Sequence, residues 1–167
     1  MWKRTGALLL LLLMASSLSG NAQTTAAAGT HLSGQLIVLH LYPHGNHAHV
    51  GSVIEVTEQE GGAGLPEFLD ENRLVFSWSR EGAPSGIYLF DVVEQELRLI
   101  PGPSEGALEP RATPDGEGLS VLQLAEDGVR RHLYRYPLEG GDGTRLLPEV
   151  EDIYAYAWMG QDRLVYV

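Results

Sequence analysis

Glu109-Pro110-Arg111-Ala112-Thr113-Pro114-Asp115-Gly116 opens the stretch whose reading decides the fold. The pattern that starts here runs to Pro148. A related copy runs from Leu65 to Pro101, and a third begins at Ala155 and extends to Val167. In register, Phe68 answers Ala112 and Trp158. Asn72-Arg73-Leu74-Val75-Phe76 answers Asp162-Arg163-Leu164-Val165-Tyr166. Ile87-Tyr88-Leu89-Phe90 answers Leu133-Tyr134-Arg135-Tyr136, and Arg98-Leu99-Ile100-Pro101 answers Arg145-Leu146-Leu147-Pro148. The offsets cluster at about 45 residues, which accommodates four short strands per repeat, the period of a propeller blade.

Each copy divides into strands separated by turn chemistry. In the first, Glu67–Phe68 predicts a short inner strand and residues 70–72 a turn. Arg73 to Ser79 follows, with Leu74, Phe76 and Trp78 on one face. Residues 80–85 predict a loop, Gly86 to Val92 a third strand, and Glu96 to Ile100 an outer one. In the second, Thr113 to Gly116 predicts a turn in which Asp115-Gly116 supplies the positive backbone angles of a tight hairpin. Leu119 to Leu124, Val129 to Tyr136 and Thr144 to Leu147 complete that copy. Strands apolar on both faces suit sheets packed against a neighbour on each side. No segment sustains a helical period, so the chain reads as all-β: a β-propeller of four-stranded antiparallel blades. The blades are expected at about 65–108 and 109–154, with another begun at 155, inside a propeller region spanning 31–167. Ahead of them, Gln35–Leu41 and Gly51–Thr57 predict a strand pair around a loop at Tyr42–His49. Half a blade, two blades and half a blade fall short of the four that a propeller needs. The ring is expected to be incomplete and the sequence a fragment, with self-association through open blade edges as the other way to complete it.

Residues 1–22 carry the marks of a signal peptide. Lys3 and Arg4 precede an apolar core from Leu8 to Met14, and Gly20-Asn21-Ala22 places a cut before Gln23. That apolar run is shorter than the roughly 20 residues of a membrane span, so stable membrane insertion is not expected. Residues 23–30 are small and featureless, a flexible lead-in.

The chain has 167 residues with 22 acidic against 11 basic side chains, a net charge of −11. Lys3 is the only lysine, and loss of the leader makes the chain more acidic still. Such a surface repels phosphate backbones and disfavours nucleic acid as a partner. With no cysteine, disulfides and thiolate metal sites are excluded. His44, His47 and His49, with His40 nearby, have spacing that can gather zinc or copper. The loop lacks a fourth ligand in fixed geometry, and Pro43 and Gly45 are turn residues, so a solvated loop is expected and no metal site is assigned. The glycine-rich link at 59–64 precedes neither a helix nor a Lys-Ser/Thr pair and is no phosphate cradle. No Gly-x-Ser-x-Gly elbow occurs: Ser85 reads as a loop serine, His132 as a strand histidine, and the paired acids Asp70–Glu71, Glu126–Asp127 and Glu151–Asp152 as solvated turns. No catalytic, cofactor-binding or metal-binding residue is assigned, and no cofactor is expected.

Pro110 to Gly116, the Leu133-Tyr134-Arg135-Tyr136 strand and the Thr144-Arg145-Leu146-Leu147 strand together resemble the TolB-like, WD-repeat-like propeller repeats. The likeness covers about 65–167 well and 31–60 weakly. Leu69-Asp70-Glu71-Asn72 departs from the Pro-Asp-Gly turn, and Pro137 stands where the repeats usually carry Asp. The resemblance implies a periplasmic or secreted propeller acting as a protein- or peptide-binding scaffold. It also admits an alternative: the N-terminal propeller part of a dipeptidyl-peptidase-like serine hydrolase, its catalytic domain lying beyond Val167. A scaffold of this type does not by itself dictate function.

Overall fold

The computed structural model describes residues 8–13 by their backbone pairing, together with residues 34–57, 61–80, 83–103 and 106–167. Lys3, Arg4, the cleavage site at 20–22 and the lead-in at 23–30 lie outside the described residues. Among the described residues fourteen strands follow in chain order. β1 is Leu8–Leu13, β2 Gln35–His44, β3 His47–Glu55, β4 Gly62–Ala63, β5 Glu67–Phe68, β6 Arg73–Arg80 and β7 Ala83–Asp91. β8 is Glu96–Leu99, β9 Leu108–Ala112, β10 Gly118–Leu124, β11 Arg131–Pro137, β12 Thr144–Arg145, β13 Tyr156–Trp158 and β14 Leu164–Tyr166. No helix occurs among the described residues, so none there is long and apolar enough to cross a membrane.

The strands form four antiparallel sheets. The first is β1-β2-β3 and the last β13-β14. Between them lie two blades: a five-stranded one, β6-β7-β8 with β4 and β5 sharing the inner edge of β6, and a four-stranded one, β9-β10-β11-β12. This is an all-β, incomplete propeller. The repeat is explicit in the register. Phe68 pairs with Leu74, Ala112 with Leu119 and Trp158 with Leu164, so the three copies place equivalent residues at equivalent points of their sheets.

Alternation along each strand explains why the sheets stack. β6 sends Leu74, Phe76 and Trp78 to one side, where they bury Leu36 and Val38 of β2 and Phe90 of β7. It sends Val75 to the other side, into a cluster with Ile87, Leu89, Leu119, Val121 and Tyr136. A third cluster joins Leu122 and Leu133 of the second blade to Ile153 and Tyr156. Every blade is thus greasy on both faces, and each cluster belongs to two neighbouring sheets.

Turns are closed by aspartates. Asp70 accepts from the amides of Asn72 and Arg73 at 2.9 and 2.8 Å, and Asp127 does the same for Val129 and Arg130 at 2.9 and 3.0 Å. The Leu69-Asp70-Glu71-Asn72 departure is therefore harmless: Asp70 makes the turn that Asp115 makes in the second blade by accepting from Glu117.

Several expectations need correction. The loop expected at 42–49 contracts to a two-residue turn at Gly45–Asn46, where Gly45 has φ 59°; pairing continues through Tyr42↔His49 to His44↔His47. Alternation there is polar, but cross-strand pairing does not need a buried face. The link at 59–64 contains β4, which pairs Gly62 with Ser79. β7 begins at Ala83, so Ser85 is a strand residue. β12 ends at Arg145, two residues before the expected end. The Thr113–Gly116 turn is wider than a two-residue hairpin: Thr113 and Gly118 close it, and Gly116 supplies the positive φ of 73° while Asp115 does not.

Candidate functional site

Inner strands of successive blades meet at residues separated by about one repeat. Glu67 on β5 reaches across to β9, where Oε1 accepts from the Ala112 amide at 2.9 Å and Oε2 from Arg111 Nη1 at 3.3 Å. Arg111 in turn lies over the ring of Tyr156 on β13, 5.6 Å from its centroid. Three consecutive inner strands are thereby tied through one arginine.

β9 is not a regular strand. Its pairing with β10 slips between Ser120 and Leu122, and Glu109 within the slip has φ 49°. A positive φ in a residue with a β-carbon is uncommon and costly, and bulges of this kind re-aim side chains and carbonyls. Here the bulge turns the Glu109 carbonyl onto the Tyr156 hydroxyl at 2.8 Å. The same hydroxyl lies 2.7 Å from the Ser120 carbonyl and 3.0 Å from Ser120 Oγ. Ser120 is fully buried; its Oγ donates to the Arg111 carbonyl at 3.3 Å and accepts from Trp158 Nε1 at 2.8 Å. Burial pushes the Tyr156 hydroxyl well above its ordinary range, against the Ser120 contact and the Arg111 charge that favour ionisation. It therefore stays protonated and serves as a donor.

In front of this lattice lies a cavity of about 220 Å³ lined by Leu65, Pro66, Glu67, Glu109, Pro110 and Arg111. Its walls come from two inner strands and their lead-ins. It presents two carboxylates, one guanidinium and two rigid prolines. The Nε of Arg111 is buried with no protein partner. Glu67 and Arg111 hold each other in place beside the two prolines.

A larger cleft of about 670 Å³ runs along the second blade past Gln123, Asp127, Arg130, His132, Tyr134 and Arg145. Its arginines are tied into the fold, while Arg145 Nε and His132 Nε2, like Arg111 Nε, are buried without a protein partner. Arg130 bonds Asp127 and Glu151, and Arg145 Nη2 donates to the Val150 carbonyl at 2.7 Å.

His132 lies half-buried on β11, as a strand residue. Ser85 Oγ accepts from the Gly106 amide at 3.2 Å, a structural bond between β7 and the lead-in to β9. Of the hairpin histidines, His44 and His49 come within 5.5 Å ring to ring, while His40 stacks on Tyr42. Among the described residues no three His, Cys, Asp or Glu side chains are grouped to hold a metal ion. Sequence reasoning did not single out Glu67, Arg111, Ser120 or Tyr156. The repeat offset was the available signal, because Glu67 and Ala112 stand 45 residues apart and Glu109 and Tyr156 stand 47 apart.

No protein-family profile matches the chain, and no curated protein does. Among solved structures the chain is similar to TolB from Acinetobacter baumannii, with a TM-score of 0.56 at 19% identity. The match covers 80% of this chain and 32% of that one, so the chain spans about a third of the TolB it resembles; what the two share is the TolB-like propeller fold.

Proposed function

We propose that the chain is part of an extracytoplasmic TolB-like propeller that acts as a protein- or peptide-binding scaffold through its inner-strand face. The observation that carries this reading is the cavity framed by Glu67, Glu109 and Arg111 and backed by the Tyr156–Ser120 lattice. The braced Glu67–Arg111 pair suits recognition, because rigid groups lose little entropy on binding. The buried hydroxyls of the site are occupied in bracing: Ser120 Oγ is held among Arg111, Tyr156 and Trp158. Likeness to TolB at the level of fold supports a scaffold. The apolar leader supports a place outside the cytoplasm, periplasmic or secreted.

The test is quantitative capture of partners from extracytoplasmic extract by the wild-type chain, by Arg111→Glu, and by Leu99→Ser on the outer strand. Arg111→Glu is expected to lower capture of a specific partner at least tenfold, about 1.4 kcal/mol, with Leu99→Ser neutral. Equal capture by all three, with circular dichroism unchanged, would remove the reading.

A further inference from the structure

At the other end of the stack lies the edge of β2. Leu8–Leu13 pairs there with Gln35–His40 in continuous antiparallel register, Leu8 opposite His40 and Leu13 opposite Gln35. β2 itself is fixed independently of that strand. Leu36 and Val38 are fully buried among Leu74, Phe76, Trp78 and Phe90. Leu36 directs both backbone groups toward the β3 side: its amide donates to Thr57 Oγ1 at 2.8 Å and its carbonyl accepts from Val56 at 2.9 Å. Backbone groups alternate sides along a strand, so Ile37 and Leu39 present theirs to the opposite edge. That edge is a preformed ladder backed by a packed core.

The present occupant defines what the edge accepts. Leu8–Leu13 is six leucines, so its pairing reads extension and apolarity and no particular side chain. The same six residues lie within the Leu8–Met14 core of a leader whose removal, on the reading above, takes this strand off the edge. An open core-backed edge is a template for strand addition. The outer strand β3 is a poorer template, since Val50 and Val53 are exposed with no core behind them. We propose that the β2 edge at Gln35–His40 is an acceptor for an extended apolar peptide strand running antiparallel to it. This surface is distinct from the inner-strand cavity, and the proposal rests on the leader reading alone.

The test uses the full chain and its Leu9→Pro/Leu11→Pro variant, whose prolines stand opposite Leu39 and Ile37 and cannot donate to them. The probe is a fluorescein-labelled peptide of alternating leucine and threonine, six residues between terminal lysines. The variant is expected to bind it at least tenfold more tightly than the unmodified chain. Methylating alternate amide nitrogens on the peptide's pairing edge is expected to abolish that binding. Equal affinity for both chains, undiminished binding of the methylated peptide, or a variant that dimerises in sedimentation and ignores the peptide would each overturn the proposal. Should the variant not fold, hydrogen exchange on the unmodified chain decides. Saturating peptide should strip protection from the amides of Leu9 and Leu11 while those of Ile37 and Leu39 keep theirs; no such loss overturns it.

Discussion

The Tyr156 hydroxyl sits 2.8 Å from the carbonyl of Glu109, one blade and 47 residues away, and the carbonyl reaches it through a bulge in which Glu109 has φ 49°. A tyrosine of one inner strand thus holds open a strained turn of the strand before it. Tyr156→Phe removes the hydroxyl proton that faces the Glu109 and Ser120 carbonyls. A loss of about 1–2 kcal/mol is expected in urea unfolding, the cost of buried acceptors left without their donor. Combined with Ser120→Ala, the loss should fall short of the sum of the two single changes, because both residues belong to one network.

Glu67→Ala should separate the first and second blades at their inner strands. The carboxylate accepts from both Ala112 and Arg111 and is about one-third exposed, so solvent screening trims the effect to about 1 kcal/mol. Glu67→Gln keeps an oxygen for the Ala112 amide and should recover part of it in the same unfolding assay.

Gly102 and Gly141 make the outer staple between these blades. Gly102 has φ 116°, and a β-carbon there would come 2.1 Å from the Gly141 carbonyl oxygen, beside the bond from the Gly141 amide to the Pro101 carbonyl. Backbone cannot step aside as a side-chain tip can. Gly102→Ala should cost about 1–3 kcal/mol or more, read as a lowered thermal midpoint. Gly116→Ala is the control: its φ of 73° is also positive, but a β-carbon there meets open space, so only the backbone strain applies.

Acid should loosen the turns before it touches the cores. The amides of Val129 and Arg130, with the Arg130 guanidinium between them in strength, hold the Asp127 carboxyl down at about 2. Thr113, then Glu117, depress Asp115 as well. A depressed carboxyl stabilises the fold fully above its ordinary value of 3.8, and that contribution fades as pH falls through 3.8 toward 2. Both aspartates are exposed, so the expected change is a modest fall of the thermal midpoint across that window. Asp127→Asn should flatten its share of the slope.

The fold was legible because its signal is periodic. Leu74, Leu119 and Leu164 recur 45 residues apart, and each sits opposite an inner-strand partner in its own sheet. Strand ends were less legible. Tyr42–His44 and His47–His49 look like loop by composition, yet backbone pairing started by a core-backed β2 runs on through them. The candidate site was hidden for a different reason. Arg111 and Glu67 are ordinary charges in sequence, and only the stacking of blades brings them to 3.3 Å. The bulge at Glu109 has no glycine to announce it; it is set by Tyr156 from the next repeat.

The claim that the inner-strand face binds a partner is tested most directly by site-specific photocrosslinking in cells of the source organism. A photoreactive residue replaces Leu65, exposed at the lip of the cavity, or Leu99, exposed on an outer strand. The account predicts a discrete crosslinked species from position 65 that disappears in the Arg111→Glu background, and none from position 99. No adduct at 65, or the same adduct from both positions, would contradict it.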